Sequence, residues 1–157
     1  MLSPERIETA LAASWPALET VTDGGWEARF ADGYSGRSNS IQVLDPADDA
    51  DPAARIARLA GLYRARGLAP LFKVTPLTGA ATRASIEGSG WALYHDSLVL
   101  VAEPDATISA PEGVEIVAPA SDRWLDAQMA LQGYNPETRA VLARIVARLP
   151  EPAAGFV

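Results

Sequence analysis

The sequence contains no cysteine and only a single histidine. Disulfides, thiolate metal ligands and a cysteine nucleophile are therefore excluded, and most zinc sites and serine-histidine triads are excluded with them. The sequence also lacks the Gly-x-Ser-x-Gly turn that carries the nucleophile of many hydrolases, and the glycine-rich P-loop that holds nucleotide phosphates. These absences remove several large classes of enzyme before any residue is assigned a role.

Basic residues are also scarce, since 13 Lys and Arg stand against 20 Asp and Glu and the net charge is -7. A general nucleic-acid binder needs a basic surface, and an anionic membrane repels an acidic one, so we expect neither partner. No apolar run reaches the roughly 18 residues of a membrane span, and the charged N-terminus does not have the pattern of a secretion signal. We therefore expect a cytoplasmic protein, and the abundance of alanine and arginine indicates a bacterial coding bias.

Helix and strand signals alternate along the chain, which predicts a mixed α/β fold. Asp23-Gly24-Gly25 is typical of a tight hairpin turn. The predicted strands cover 19–22, 26–31, 40–44, 70–75 and 94–102, and the predicted helices run from Ser3 to before Pro16, over 52–66 and over 78–87. After a segment rich in turn residues, 104–113, a second unit contains a strand over 114–118, helices over 121–132 and 135–149, and a strand over 153–157.

Two of these elements have a clear pattern of burial. In the second strand, Trp26, Ala28 and Phe30 alternate with Glu27 and Arg29, which predicts one apolar face and one solvent-exposed face. The helix over 52–66 has its apolar side chains at helical spacing and is predicted to bury Ile56, Leu59, Leu62 and Tyr63.

The junction between the third strand and that helix is unusually acidic. It contains Asp45, Asp48, Asp49 and Asp51, no glycine, and two prolines that remove backbone donors. We interpret the aspartates as helix-capping groups, with Asp51 as the cap of the following helix. A site for a hard cation is the alternative, but the Asp-x-Asp-x-Asp-Gly spacing of a calcium loop is missing.

The order of elements is similar to the second half of a GNAT-family N-acetyltransferase domain, on the runs SIQVL, ARIARLAGLYRARG, PLFKVT, GSGW and ALYHDSLVLV. Gly90-Trp91 stands where that family has a Gly-Phe-like turn, and the segment 15–44 resembles bacterial proteins with two tandem GNAT-like halves. The resemblance implies an α/β (α+β) fold with a mixed, mostly antiparallel central sheet flanked by helices. It also implies a degenerate domain over 1–104, a linker over 105–112, and the opening strand-helix-helix-strand segment of a second, apparently incomplete domain over 113–157.

The activity that this resemblance implies is transfer of an acetyl group from acetyl-CoA to an amine of a small molecule or peptide. The family's Arg/Gln-x-x-Gly-x-Gly/Ala loop, whose backbone amides bind the pyrophosphate, is absent from the sequence. We therefore expect no cofactor-binding residue, no metal and no tight acetyl-CoA binding by this chain alone, and the catalytic residues stay unassigned because they would follow Val157. The alternative is a noncatalytic GNAT-like binding or dimerisation module, forming a homodimer through its C-terminal strand.

The candidate substrate-binding residues form two groups. The resemblance implies that the turn between the first two helices of the second unit borders the acceptor pocket, and this turn contains Gln132, Tyr134 and Asn135. A polar cluster beside the third strand could bind a carboxylate or an amide, and it contains Tyr34, Arg37, Asn39 and Ser40. For each group the alternative is purely structural, as a helix end for the first and as a hydrogen-bonded turn for the second.

Overall fold

The computed structural model describes residues 2–102 and 112–157. The predicted linker, 105–112, lies almost entirely outside the described residues. Within them the fold is mixed α+β, with a four-stranded, mostly antiparallel sheet and a separate two-stranded sheet. No helix in the described ranges is long and apolar enough to cross a membrane.

The elements follow the predicted order, apart from one predicted strand. The first part contains α1 (Pro4–Ser14), β1 (Glu19–Asp23), β2 (Trp26–Phe30), a short 3₁₀ turn (Gly36–Ser38), β3 (Ile41–Val43), α2 (Pro52–Ala65), β4 (Phe72–Lys73) and α3 (Ala80–Gly88). The second part contains β5 (Ile116–Val117), α4 (Asp122–Gln132), α5 (Pro136–Val146) and β6 (Gly155–Phe156).

The main sheet has the order β1-β2-β3-β4, with antiparallel pairs except for the parallel pair β3–β4. The predicted hairpin is confirmed, because Asp23 pairs with Trp26 across the turn Gly24-Gly25. Gly24 has a φ of +58°, and a Cβ at this position would overlap the Asp48 carboxylate. Only glycine therefore satisfies both the turn and the close approach of the acidic junction.

The core of this sheet is formed by its predicted apolar face and by α2. Trp26, Ala28 and Phe30 are buried, as predicted. The prediction for Arg29 is wrong, because this residue is only 5% exposed. Its guanidinium donates to the carbonyl oxygens of Ala12, Trp15 and Arg37, and thereby occupies the C-terminal end of α1, where backbone carbonyls lack helical partners.

The predicted buried side of α2 is confirmed. Ile56, Leu59 and Tyr63 are buried, and Leu62 is partly buried against the same cluster. The Tyr63 hydroxyl accepts a hydrogen bond from the backbone N–H of Arg29 at 3.0 Å and donates to its carbonyl oxygen at 2.8 Å. The helix is thus held to the central strand β2 by both packing and polar contacts.

Two aspartates of the acidic junction differ in their capping role. Asp51 occupies the N-cap position of α2 with a φ of +49°, but its side chain makes no capping hydrogen bond, so this part of the prediction is wrong. Asp49 instead caps α3, since its carboxylate accepts from the backbone N–H groups of Ala81 and Thr82 and from the Thr82 hydroxyl, at 2.5 to 2.9 Å.

The predicted strand over 94–102 is wrong, because these residues have no regular secondary structure. Leu98 and Leu100 are 90% and 89% exposed, although the segment is rich in strand-forming residues. The segment starts beside the sheet edge, where Trp91 makes an edge-to-face contact with Phe72 of β4. A strand needs a neighbour for its backbone groups, and β4 is only two residues long, so it offers little edge for pairing.

The second unit packs α4 and α5 around a small core of Leu125, Leu142 and Val146. Asn135 caps α5 by accepting from the backbone N–H of Thr138 at 2.8 Å. Strands β5 and β6 pair antiparallel, and Gly155 lies so close to the Trp124 ring that a Cβ would overlap it. The last strand is therefore held both by its neighbour and by α4.

Candidate functional site

A cavity of about 760 Å³ lies between the loop after β2 and the adjoining ends of α4 and α5. It combines aromatic, amide, hydroxyl and charged side chains from both parts of the chain. The lining residues are Trp15, Asp32, Gly33, Tyr34, Ser35, Arg37, Gln128, Gln132, Tyr134, Asn135, Glu137, Thr138 and Val141.

Three aromatic side chains form one wall of the cavity. Tyr34 contacts Trp15 with ring centroids 6.3 Å apart and meets Tyr134 edge-to-face at 5.7 Å. The indole N–H of Trp15 donates to the Ser35 hydroxyl at 2.8 Å, which fixes the ring against the loop. Burial raises the pKa of Tyr34 to about 12, with a further contribution from the neighbouring Tyr134 phenol, so Tyr34 is a neutral hydroxyl at physiological pH.

Asn39 shapes the loop that carries Tyr34. Its carbonyl oxygen accepts from the backbone N–H groups of Ala31 and Gly33, at 2.8 and 3.1 Å. Its amide nitrogen donates to the carbonyl oxygens of Tyr34 and Ser35, at 2.7 and 2.9 Å. One buried side chain thus closes the loop with four hydrogen bonds, and it positions the cavity wall without lining the cavity.

Ser40 is also buried rather than part of the cavity. Its backbone carbonyl accepts from the N–H of Arg29, and its hydroxyl has no partner among the described residues. The seven candidate residues therefore separate into one buried loop support, Asn39, one buried sheet residue, Ser40, and five that line the same cavity. These five are Tyr34, Arg37, Gln132, Tyr134 and Asn135.

The turn between α4 and α5, which carries Tyr134, also lines the cavity. Gly133 ends α4 in the left-handed region at φ +66°, and Asn135 starts α5, so the turn is fixed at both sides. Gln128 and Glu137 also line the cavity, although neither was predicted from the sequence. Gln128 lies one helical turn before Gln132, and this i, i+4 spacing was a usable signal.

The charged groups of the cavity differ in whether they are paired. The Asp32 carboxylate forms an ion pair with Arg144 of α5, at 2.7 Å. The guanidinium of Arg37 lies over the Trp15 ring, 4.9 Å from its centroid. Among the ion pairs of the described residues, neither Arg37 nor Glu137 takes part. The cavity thus presents one cation and one anion that have no charged protein partner there.

The β3–α2 junction, where the resemblance places a pyrophosphate, is filled by its own acidic side chains. Asp48 accepts from the backbone N–H of Gly25 at 2.7 Å and from both terminal nitrogens of Arg55, at 2.6 and 2.8 Å. The Arg55 guanidinium, followed by the Gly25 amide, lowers the pKa of Asp48 to about 2. An anionic carboxylate therefore holds the groups that a phosphate would need, and the junction does not fit the pyrophosphate of acetyl-CoA.

A cation at the junction would also compete with existing contacts. Asp48 and Asp49 are already hydrogen-bonded to Arg55 and to the start of α3, respectively. Within residues 2–102 and 112–157 there is no group of three or more histidine, aspartate or glutamate side chains arranged to hold a metal ion. Asp48 and Asp49 of this junction thus connect separate elements of the fold.

Residues 5–147 match a family model described as "Probable histone acetyltransferase Rv0428c C-terminal". No curated protein and no solved structure gives a significant match to the chain. The matched range includes every lining residue of the cavity and the helices α4 and α5.

Proposed function

Because the chain belongs to the family described as the C-terminal part of the probable histone acetyltransferase Rv0428c, we propose that it works in acetyl transfer from acetyl-CoA to an amine. The acceptor is an amine of a small molecule or peptide, and this chain supplies the pocket that holds it. The observation that supports this role is the cavity between the β2–β3 loop and the α4–α5 turn, where aromatic rings and amides converge.

In this proposal, acetyl-CoA does not bind at the β3–α2 junction. A pyrophosphate needs free backbone N–H groups and a positive local field, and the junction instead offers Asp48 in its ionised form. The chain alone is therefore expected to be inactive or nearly so and to bind acetyl-CoA weakly.

Two titrations test the proposal on the 157-residue chain. Calorimetry with acetyl-CoA, and with CoA as the control, is expected to give no binding in the micromolar range. Amine acceptors are expected to bind in the cavity, and Tyr134→Ala should weaken them, whereas Tyr94→Ala on the exposed segment should not. Micromolar binding of acetyl-CoA would overturn the assignment of the junction, and equal effects of the two tyrosine variants would overturn the acceptor pocket.

A noncatalytic dimerisation module is the second candidate, and the small sheet is the observation that favours it. Ile116 of β5 and Phe156 of β6 are paired across the strands and are 64% and 60% exposed. Such a pair offers an apolar face for a second copy of the chain. Sedimentation analysis should then show a dimer that Phe156→Glu dissociates, while Leu131→Glu, at an exposed position of α4, leaves the mass unchanged. A monomeric parent chain would rule out this candidate.

A further inference from the structure

Among the described residues, the cavity lining contains one unpaired positive and one unpaired negative side chain, and this combination favours an amine that also carries a carboxylate. Arg37 is on the loop after β2, and Glu137 is in the first turn of α5, so the two unpaired charges come from different elements that line the same cavity. The remaining acid of the lining, Asp32, forms an exposed ion pair with Arg144. We propose that the cavity binds a free α-amino acid, whose carboxylate pairs with Arg37 and whose ammonium group faces Glu137. This inference rests on the proposed function in that the bound amine is the acetyl acceptor.

Arg37 is well placed to bind a carboxylate. Its guanidinium lies over the Trp15 ring, and the Trp15 indole N–H donates to the Ser35 hydroxyl, so the guanidinium has an aromatic neighbour that is itself fixed to the loop. A guanidinium held in this way offers two parallel N–H donors that match the two oxygens of a carboxylate. A lysine side chain within a protein has no carboxylate beside its amine, so it would leave this donor pair unused.

The other groups of the cavity suit the rest of an amino acid. Glu137 provides the negative charge that an ammonium group requires, and it is free of ion pairs with the described residues. Trp15, Tyr34 and Tyr134 offer aromatic faces, which attract both apolar side chains and cations. Gln128 and Gln132 add amide donors and acceptors, so the ligand's polar groups would not be buried without partners.

The test compares the binding of amino acids with that of their carboxamides, in the parent chain and in Arg37→Gln. L-phenylalanine, L-methionine and L-glutamine, each with its carboxamide, are titrated into the isotope-labelled chain while the Trp15 indole resonance is followed. The signal is assigned with Trp15→Phe. In the parent chain each carboxamide should bind about tenfold more weakly or worse, the loss expected for one charge-assisted hydrogen bond. In Arg37→Gln the amino acid and its carboxamide should bind equally weakly.

Matched variants separate this effect from a general change of surface charge. Arg64→Gln removes an exposed arginine at the end of α2, outside the cavity, and should leave the preference for the carboxylate intact. Glu137→Gln should weaken the free amino acids but not their N-acetyl derivatives, which carry no ammonium group. Folding of each variant is verified by its thermal transition, and Arg37 and Glu137 are both exposed in the structure.

The outcomes also separate this inference from the proposed function. If no member of the set shifts the Trp15 resonance at millimolar concentration, or if acid and carboxamide bind the parent chain equally, the inference is overturned. Amine binding that Tyr134→Ala weakens but that Arg37→Gln leaves unchanged would overturn the inference alone. Discrimination by Arg37 together with micromolar binding of acetyl-CoA would support the inference and contradict the acetyl-CoA part of the proposed function.

Discussion

The arginines of this chain show how much a residue's role depends on its partners. Arg29 is buried at the end of α1, where its guanidinium donates to backbone carbonyls. Arg55 is paired with Asp48 and lies over the Trp26 ring at 4.6 Å. Arg37 is exposed and paired with no described carboxylate. The strand pattern predicted the wrong environment for Arg29, because two of the three carbonyls to which it donates lie at the end of a helix more than ten residues away.

The buried phenol of Tyr63 gives a direct test of one polar contact. Tyr63→Phe keeps the packing against Phe30 but leaves the N–H and carbonyl of Arg29 without their partner. We expect the free energy of unfolding to fall by about 1–3 kcal/mol, the usual cost of unsatisfied buried groups. Urea denaturation measures it, with Tyr94→Phe on the exposed segment as the control. Equal midpoints for the two variants would contradict the buried hydrogen bonds.

Asp48 gives a prediction for pH. Its pKa is lowered from 3.8 to about 2 by Arg55 and the Gly25 amide, so folding favours the ionised form. The stability that this carboxylate contributes is present above the ordinary pKa of 3.8 and is lost as the pH falls through about 2, where the folded state also binds the proton. The difference in unfolding temperature between the parent chain and Asp48→Asn should therefore be largest near neutral pH and shrink in acid. A difference that stays constant from pH 6 to about 2.5 would refute this assignment.

At the scale of elements, the sequence predicted which segments form helices and turns, but it did not predict which other elements those segments contact. All five α-helices and the Gly24-Gly25 hairpin are confirmed, because periodicity, proline and glycine act within a few residues. The strand predicted over 94–102 is not confirmed, since a strand forms only where a neighbouring strand can pair with its backbone N–H and C=O groups. The aspartates of the junction show the same difference. Their role as helix caps was predicted, but the helix that Asp49 caps was not. Asp49 reaches α3, more than thirty residues along the chain.

The capping of α3 by Asp49 can be separated from the position of Asp51. Asp49→Asn replaces one acceptor oxygen by a donor, so at least one of its contacts with Ala81 and Thr82 is lost. We expect its unfolding temperature to fall by roughly 2–4 °C, as a chain of this size responds to the loss of one such contact. Asp51→Asn should change little, because the Asp51 side chain makes no capping hydrogen bond and asparagine tolerates its positive φ. A larger fall in unfolding temperature for Asp51→Asn than for Asp49→Asn would instead indicate that Asp51 is the helix cap.

At the scale of the whole molecule, the cavity exists because two separately predicted groups of residues meet. Each group was selected from its own turn chemistry, but their convergence depends on the packing of α5 against the β2–β3 loop. That packing combines the apolar contact of Trp15 and Tyr34 with the core of α4 and α5 and two exposed polar contacts. These are the ion pair Arg144–Asp32 and the hydrogen bonds that Arg148 donates to the backbone carbonyls of Ala17 and Leu18. No local pattern encodes contacts between residues more than a hundred positions apart, so the site as a unit could not be predicted from the sequence.

The same contacts predict how the chain responds to a protease. Chymotrypsin should cut first within 93–101, because its tyrosine and leucines are exposed and have no regular secondary structure, whereas Trp26, Phe30 and Tyr63 are buried. The two fragments should then stay together through Arg144–Asp32, Arg148 and the aromatic wall, and co-elute on size exclusion under native conditions. Mass spectrometry of the eluted peak identifies the cut. Fragments that separate immediately would mean that the contacts between the two parts are too weak to form the cavity. That result would contradict the proposed acceptor pocket.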